Sequence, residues 1–353
     1  MYDQEAMMNR VLFAGTAVTR EGAVGSLYRL EHGKGWEKAK DIADDAAVQA
    51  IVPHPEFDQI IFAAARKGIY KSEDRGQTWR RIEGLDPGFQ FWSIEVDPRN
   101  PNHLFAGTSP IGVFESHDCG ETWTACEVNN PERFAIRFGA SRAMRLAFHP
   151  TDEKILYGIA EINGFMLSLD GGKTWNAEPR GLLELAKLEH LRSKIETDDD
   201  SEGMFDAHVV TTTPAAPDSI FYICRLGIFE STDLGKTFRD LEVGKYAPFA
   251  YCRDLRIAAG MPEKMYSCFS IASRSNAGAV YTSDDLGKNW RRADAQVTPL
   301  STIMGINAHK HDPEGVISVT RGGQVFYTFD GAQSWFEKQL PENAGDAFCV
   351  AMI

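Results

Sequence analysis

The sequence predicts an all-β fold, a single seven-bladed β-propeller taking up the whole of residues 1–353. Three observations predict it. One short pattern recurs along the entire chain. Its aromatic anchors, at positions 36, 79, 123, 175, 238, 290 and 335, stand 43 to 63 residues apart, which is room for four short strands and their turns. The chain also begins partway through one unit and ends on the strand that unit lacks.

The pattern is clearest in SEDRGQTW (72–79), SHDCGETW (116–123), SLDGGKTW (168–175), STDLGKTF (231–238), SDDLGKNW (283–290) and TFDGAQSW (328–335). A hydroxyl residue precedes an Asp by two positions, a small residue follows two later, and an aromatic five later. An eroded seventh copy, RLEHGKGW (29–36), keeps Glu31, Gly33 and Trp36 at the same offsets. An Asp carboxylate at this spacing can accept several backbone N–H groups across a tight turn. The glycine supplies a left-handed backbone angle, and the aromatic buries a large surface against a neighbouring sheet. Asp74, Asp118, Asp170, Asp233, Asp285 and Asp330 are therefore read as structural residues rather than catalytic acids.

Apolar, β-branched runs precede each copy. The innermost strands are VQAIVPHP (48–55), WSIEVDP (92–98), MRLAFHP (144–150), AHVVTTTP (207–214), CRDLRIAA (252–259) and IMGINAH (303–309). The first unit opens on what reads as a second strand, VLFAGTAV (11–18). The C-terminal AFCVAMI (347–353) supplies its missing first strand, closing the ring in blade 1 and removing an exposed sheet edge. The longest interval carries GLLELAKLEHLRSKIE (181–196), whose leucines follow helical spacing, and then the acidic run TDDDSEG. A helical insertion over about 180–205, in the loop before blade 5, is expected, either as a lid or wall over one face or as a helix packed on the ring's rim. SIASRSNAG (270–278) is a second insertion on the same face.

The net charge is −13, which disfavours nucleic acid and anionic membrane surfaces as partners. No apolar run approaches the length of a membrane helix. No secretory leader is visible in MYDQEAMMNR, so a cytoplasmic location is the expectation. The six cysteines show no CxxC spacing, so neither disulfides nor a zinc framework is expected.

DPRNPNHLFAGTSPIGVFESHDCGETW (97–123) resembles the bacterial neuraminidase repeat, or Asp-box, throughout its length, and the resemblance recurs once per blade. Propellers of this kind include sialidases, sortilin-type receptors, xyloglucan-cleaving hydrolases, certain polysaccharide lyases and photosystem II assembly factors. The resemblance implies the fold and leaves the activity open. Sialidases also carry a Phe-Arg-x-Pro segment. None occurs here, the nearest text being RFGASR (137–142), and a sialidase is not favoured. Xyloglucan-cleaving enzymes usually pair two propellers, and this length holds one.

In such propellers the box turns share one face with the loops between first and second strands, and related enzymes bind substrates at the other face. His54 and His149, each before a proline, fall on the box face and read as turn or packing residues. The opposite face collects Arg66, Arg225 and Arg321 at related turns, Arg142 and Arg145 at the fourth innermost strand, Arg253 with Asp254 at the sixth, and Phe91 with Trp92 at the third. Guanidinium groups can hold a carboxylate, sulfate or phosphate through paired hydrogen bonds, or can pair with local acids such as Asp254 or Glu161 and simply staple the blades. The acid/base candidates there are His208, Asp206 and Glu161, with Tyr246 or Tyr251 beside them. His309 and His311 lie towards the box face, and no metal or other cofactor is expected.

Two functions follow from these residues. One is an enzyme, hydrolase or lyase, acting on a small anionic ligand or carbohydrate acid at an arginine-rich pocket. The alternative is a non-catalytic binding or assembly propeller that holds an acidic partner segment.

Overall fold

A computed structural model describes residues 9–134 and 139–353. The residues before Asn9, on which the reading of the N-terminus as leaderless rests, and the first two of RFGASR lie outside them. Seven antiparallel sheets follow one another around an axis. Blade 1 orders its strands Asp346–Met352, Val11–Ala17, Leu27–Glu31 and Glu37–Lys38, so the C-terminal strand is innermost and closes the ring, with Leu12 opposite Met352 and Phe13 opposite Ala351. The innermost strands of blades 2 to 7 are Val48–Pro53, Gln90–Val96, Ala143–Phe148, Ala207–Thr213, Tyr251–Ala258 and Ile303–Ala308. Blade 4 gains a fifth strand, Glu127–Asn129, parallel to its outermost Thr174–Ala177. No helix among the described residues is long and apolar enough to cross a membrane.

The box turns are built as the sequence pattern requires. In blade 2 the Ser72 hydroxyl bonds Asp74 Oδ1 at 2.9 Å and accepts the Gly76 N–H at 2.8 Å, while the N–H groups of Gln77 and Thr78 converge on the same carboxylate. Burial would raise the Asp74 carboxyl, but these bonds outweigh it and hold it below the ordinary range, and Asp118 falls to about 2 by the same balance. Each box also docks on the preceding blade. A Cβ at Gly120 would meet the Phe62 ring at 2.9 Å and one at Gly172 the Phe105 ring at 2.2 Å, and both glycines have positive φ. The small residue is thus required twice, by the turn and by the packing.

The insertion before blade 5 is less helical than its leucine spacing predicts. Helix α1 spans only Arg180–Leu185, a single 3-10 turn covers Glu189–Leu191, and helix α2 covers Glu202–Phe205. Leu182, Leu185 and Leu191 are buried with the insertion's own Phe205 against Phe165 of blade 4 and Tyr222 of blade 5, while Leu188 is exposed. The buried Glu202 carboxylate then takes the N–H groups of Ile195, Glu196 and Thr197, leaving no helical ladder for that segment. This insertion packs in the groove between two blades. None of it lines the axial cavity, so the insertion is a rim element rather than a lid.

All six cysteines are free. His54 and His149 are turn residues as expected: each accepts two backbone N–H groups on Nδ1 at 3.1–3.2 Å. His309 does the same with the N–H groups of His311 and Asp312, which commits it to the turn.

Candidate functional site

Every blade carries the same irregularity in the pairing of its innermost strand. The register skips one residue, leaving Gln49, Trp92, Met144, His208, Arg253, Met304 and Phe348 unpaired on the innermost strand. A bulge re-aims the side chain it inserts. All seven line one axial cavity of about 200 Å³ at its mouth on the face opposite the boxes. The residues that follow continue it inward, with Arg145, Asp254 and Cys349 next and then Glu95, Arg256 and Asn307. The seven-fold repeat thus produces a ring of non-equivalent side chains from one backbone device.

Charged groups surround this mouth. Arg142 bonds Glu161 at 2.8 Å and stacks over the Trp92 ring at 4.2 Å. Glu161 and Asp206 meet as a backbone bridge between blades 4 and 5, and Arg225 stands 3.9 Å from Asp206. Arg321 pairs with Asp346 at 3.1 Å and donates to the Ser273 carbonyl of the second insertion. Arg145 lies deeper and faces Asp254 at 3.4 Å. Arg253 differs from these. Among the described residues no carboxylate lies within ion-pair distance of its guanidinium, although it stands on the cavity wall. The Trp92 Nε1 and Arg145 Nε atoms are also buried without a hydrogen-bond partner among the described residues.

Protonation within the cluster is sharply divided. Burial and the charge of Glu161 push the Asp206 carboxyl up to about 7, against the pull of Arg225, Arg253 and Arg142. Burial and the charge of Arg253 hold His208 well below its ordinary value. Its Nδ1 is 2.6 Å from the Cys252 carbonyl, which only accepts, so the proton sits on Nδ1 and Nε2 offers its lone pair. That Nε2 faces the Tyr251 hydroxyl at 3.5 Å and Asp206 Oδ1 at 3.7 Å. Burial raises Tyr251 to about 12. His208 and Tyr251 are therefore neutral over the physiological range, and the candidate group that titrates there is Asp206. The expectation of His208 as a general base gives way to a neutral acceptor that orients its neighbours.

Of the residues singled out in the sequence, Trp92, Arg145, His208, Arg253 and Asp254 line the cavity, while Arg142, Glu161, Asp206, Arg225, Tyr251 and Arg321 cluster beside it through contacts with one another or with the ring residues. Arg66 does not join them: it is exposed and lines a separate hollow with Lys67, Arg81 and Phe89. The three related arginines do not form a shared cradle, since Arg225 and Arg321 each face a carboxylate. Tyr246 is also elsewhere, bonding the Lys288 carbonyl in the box of blade 6. Glu95 went unnoticed in the sequence. It lines the channel opposite Arg145 and Arg256, and burial pushes it up to about 7 against both arginines. Its signal is positional, three residues beyond the bulged Trp92.

The closed seven-sheet ring and its six boxes define the chain as an Asp-box β-propeller. A family model described as sortilin, neurotensin receptor 3 (Sortilin-Vps10) matches residues 67–186. The chain is 31% identical over 122 residues to a probable oligoxyloglucan-reducing end-specific xyloglucanase of Neosartorya fischeri, a stretch covering 31% of this chain and 14% of that protein. It thus spans a small part of the length of the curated relatives it matches. Among solved structures, it is similar to an ancestral GH74 enzyme (TM-score 0.57, 15% identity, 83% of this chain and 38% of that one). It is also similar to YCF48 bound to D1 peptide (TM-score 0.52, 13% identity, 83% and 82%). At these identities the structural likenesses establish the fold.

Proposed function

We propose that this propeller binds a small carboxylate-bearing ligand, of the sugar-acid class, at the axial mouth, and that Asp206 exchanges a proton with it. The single observation carrying this reading is Arg253. The Arg253 guanidinium is held on the cavity wall with no carboxylate in ion-pair distance, so its N–H donors can engage a ligand anion bidentately, while Glu161, Asp206 and Asp254 balance its charge only from further off. Trp92, Met144 and Phe348 on the same ring offer the apolar surface against which a sugar ring stacks.

The acid/base assignment follows from the divided protonation. Glu161 is held by Arg142, while Asp206 carries its proton over roughly half the population near neutrality. Asp206 can then donate a proton to a leaving oxygen as general acid, and the ionised form can accept one. His208 Nε2 faces Asp206 from 3.7 Å and the Tyr251 hydroxyl from 3.5 Å. This assignment serves hydrolysis or elimination equally. The likeness to xyloglucan-cleaving relatives supports a saccharide as the ligand.

The test is calorimetric titration of the full chain with uronic and aldonic acids beside the matching neutral sugars, in the protein and in Arg253→Gln. The reading expects an acid to bind and the neutral sugar to bind at least tenfold more weakly, with the preference lost in the variant. Equal binding of both, or acid binding undiminished by Arg253→Gln, overturns it. A second reading, an acidic partner segment held without catalysis, is favoured by the exposed basic hollow of Arg66, Lys67 and Arg81. It predicts no small-acid binding, and weakened partner binding in Arg66→Ala.

A further inference from the structure

Away from the axis, the box of blade 3 departs from the other five. The residue after its hydroxyl is His117, where the others have Glu73, Leu169, Thr232, Asp284 and Phe329. Its second strand is also preceded by a histidine, His103. The antiparallel register of that hairpin pairs Leu104 with Ser116 and Phe105 with Glu115. Continued by one residue, it sets His103 opposite His117. Glu115 lies two residues before His117 and so projects from the same face of the sheet. Three ligand-type side chains are brought to one point by register alone.

The side chains meet there. His103 Nε2 is 2.7 Å and His117 Nε2 3.2 Å from the same Glu115 Oε1, and the two imidazoles stack with centroids 4.6 Å apart and planes 11° from parallel. The donor atoms of all three lie within 4.8 Å of one another. Behind His103, the buried Asp97 carboxylate faces Nδ1 at 3.7 Å. His103 Nε2 donates to Glu115 Oε1; an ion bound at Nε2 would displace that proton, and Asp97 would then face the N–H carried on Nδ1. A carboxylate behind a ligating histidine is the usual outer support of a metal site. The rings of Phe105 and Phe148 pack on His103 and fix its plane. His117 is exposed, with a side-chain accessibility of 70%, so one side of the cluster is open to solvent.

We infer that His103, Glu115 and His117 form a divalent transition-metal site, with Asp97 as its outer support. Two imidazoles and one carboxylate are a borderline ligand set suited to Zn²⁺, and three protein ligands leave a fourth position for water or a ligand. The set discriminates against Ca²⁺ and Mg²⁺, which require a shell of oxygens. The site lies on the box face of blade 3 and shares none of its ligands with the axial mouth, so the two can be tested separately.

The experiment is titration of the full chain with Zn²⁺ at pH 7.5 by calorimetry, repeated with Co²⁺ followed by its visible absorption and with Mg²⁺. The proteins are wild type, His117→Ala, Glu115→Gln and His190→Ala, the last removing another exposed histidine. Wild type and His190→Ala should bind one equivalent of Zn²⁺ and give the d–d bands of a low-coordinate Co²⁺ complex. His117→Ala and Glu115→Gln should weaken binding tenfold or more, and Mg²⁺ should not compete. His117 is exposed, so its loss tests the site with the fold intact. Absence of a stoichiometric Zn²⁺ event in wild type, or full affinity retained in His117→Ala, overturns the assignment.

Discussion

Replacing Asp206 by Asn should flatten the dependence of folding stability on pH. The Asp206 carboxyl titrates near 7 in the folded protein because burial and the charge of Glu161 disfavour its ionised form. In the unfolded chain it titrates at the ordinary carboxylate value of about 3.9. The folded state therefore holds the proton more tightly, and stability must fall as pH rises from about 4 to about 7, staying low above that. Ionisation therefore costs about 1–2 kcal/mol at pH 5 and a few kcal/mol more at pH 8.5. The wild type thus loses about 2–3 kcal/mol over this interval through Asp206, a loss Asn cannot suffer. Glu95, also raised to about 7, contributes equally to both proteins and cancels. The assay is urea unfolding of both proteins at pH 5 and pH 8.5. Relative to wild type, Asp206→Asn should gain about 2–3 kcal/mol between the two, whatever its constant offset from the altered contact with Arg225. Parallel pH profiles would show that Asp206 ionises like an exposed carboxylate, and the acid/base role would fall with it.

Four further outcomes follow. Asp118→Ala strips a carboxylate that accepts from Ser116, Glu121 and Thr122, and should lower stability by about 1–3 kcal/mol in a denaturant midpoint. Because the box carboxyls are held low, Asp118 at about 2, their stabilisation is complete above about pH 4 and is lost as pH falls towards 2, giving an acid transition visible by circular dichroism. Gly172→Ala meets both a φ of 90° and the Phe105 ring at 2.2 Å, and should cost more than about 2 kcal/mol, whereas Gly33→Ala, with open space around it, should cost less. Deleting Asp346–Met352 removes the innermost strand of blade 1, and the cooperative thermal transition should vanish.

The fold was legible because one motif repeats a requirement that few residues meet. A hydroxyl, an Asp, a small residue at positive φ and an aromatic define both a turn and its docking surface, and six copies with an eroded seventh leave little choice of architecture. The closing strand was legible because the first unit lacked one. The site was legible only by face. Trp92, His208 and Arg253 could be assigned to the mouth, but the bulge that makes them equivalent is set by pairing geometry and leaves no mark in composition. The fates of individual arginines were hidden for the same reason: Arg225 and Arg321 differ from Arg253 through Asp206 and Asp346, which adjacency in sequence does not reveal. The helical insertion was overread because leucines buried in an irregular groove, at 182, 185 and 191, mimic helical spacing.

The central claim, an anion site at the axial mouth anchored by Arg253, is tested most directly by an anomalous difference map from a crystal soaked in selenate. The account predicts a peak within hydrogen-bonding distance of the Arg253 guanidinium, inside the ring formed by Trp92, His208 and Phe348. A map with no peak there, or with peaks only at exposed arginines such as Arg66, would contradict it.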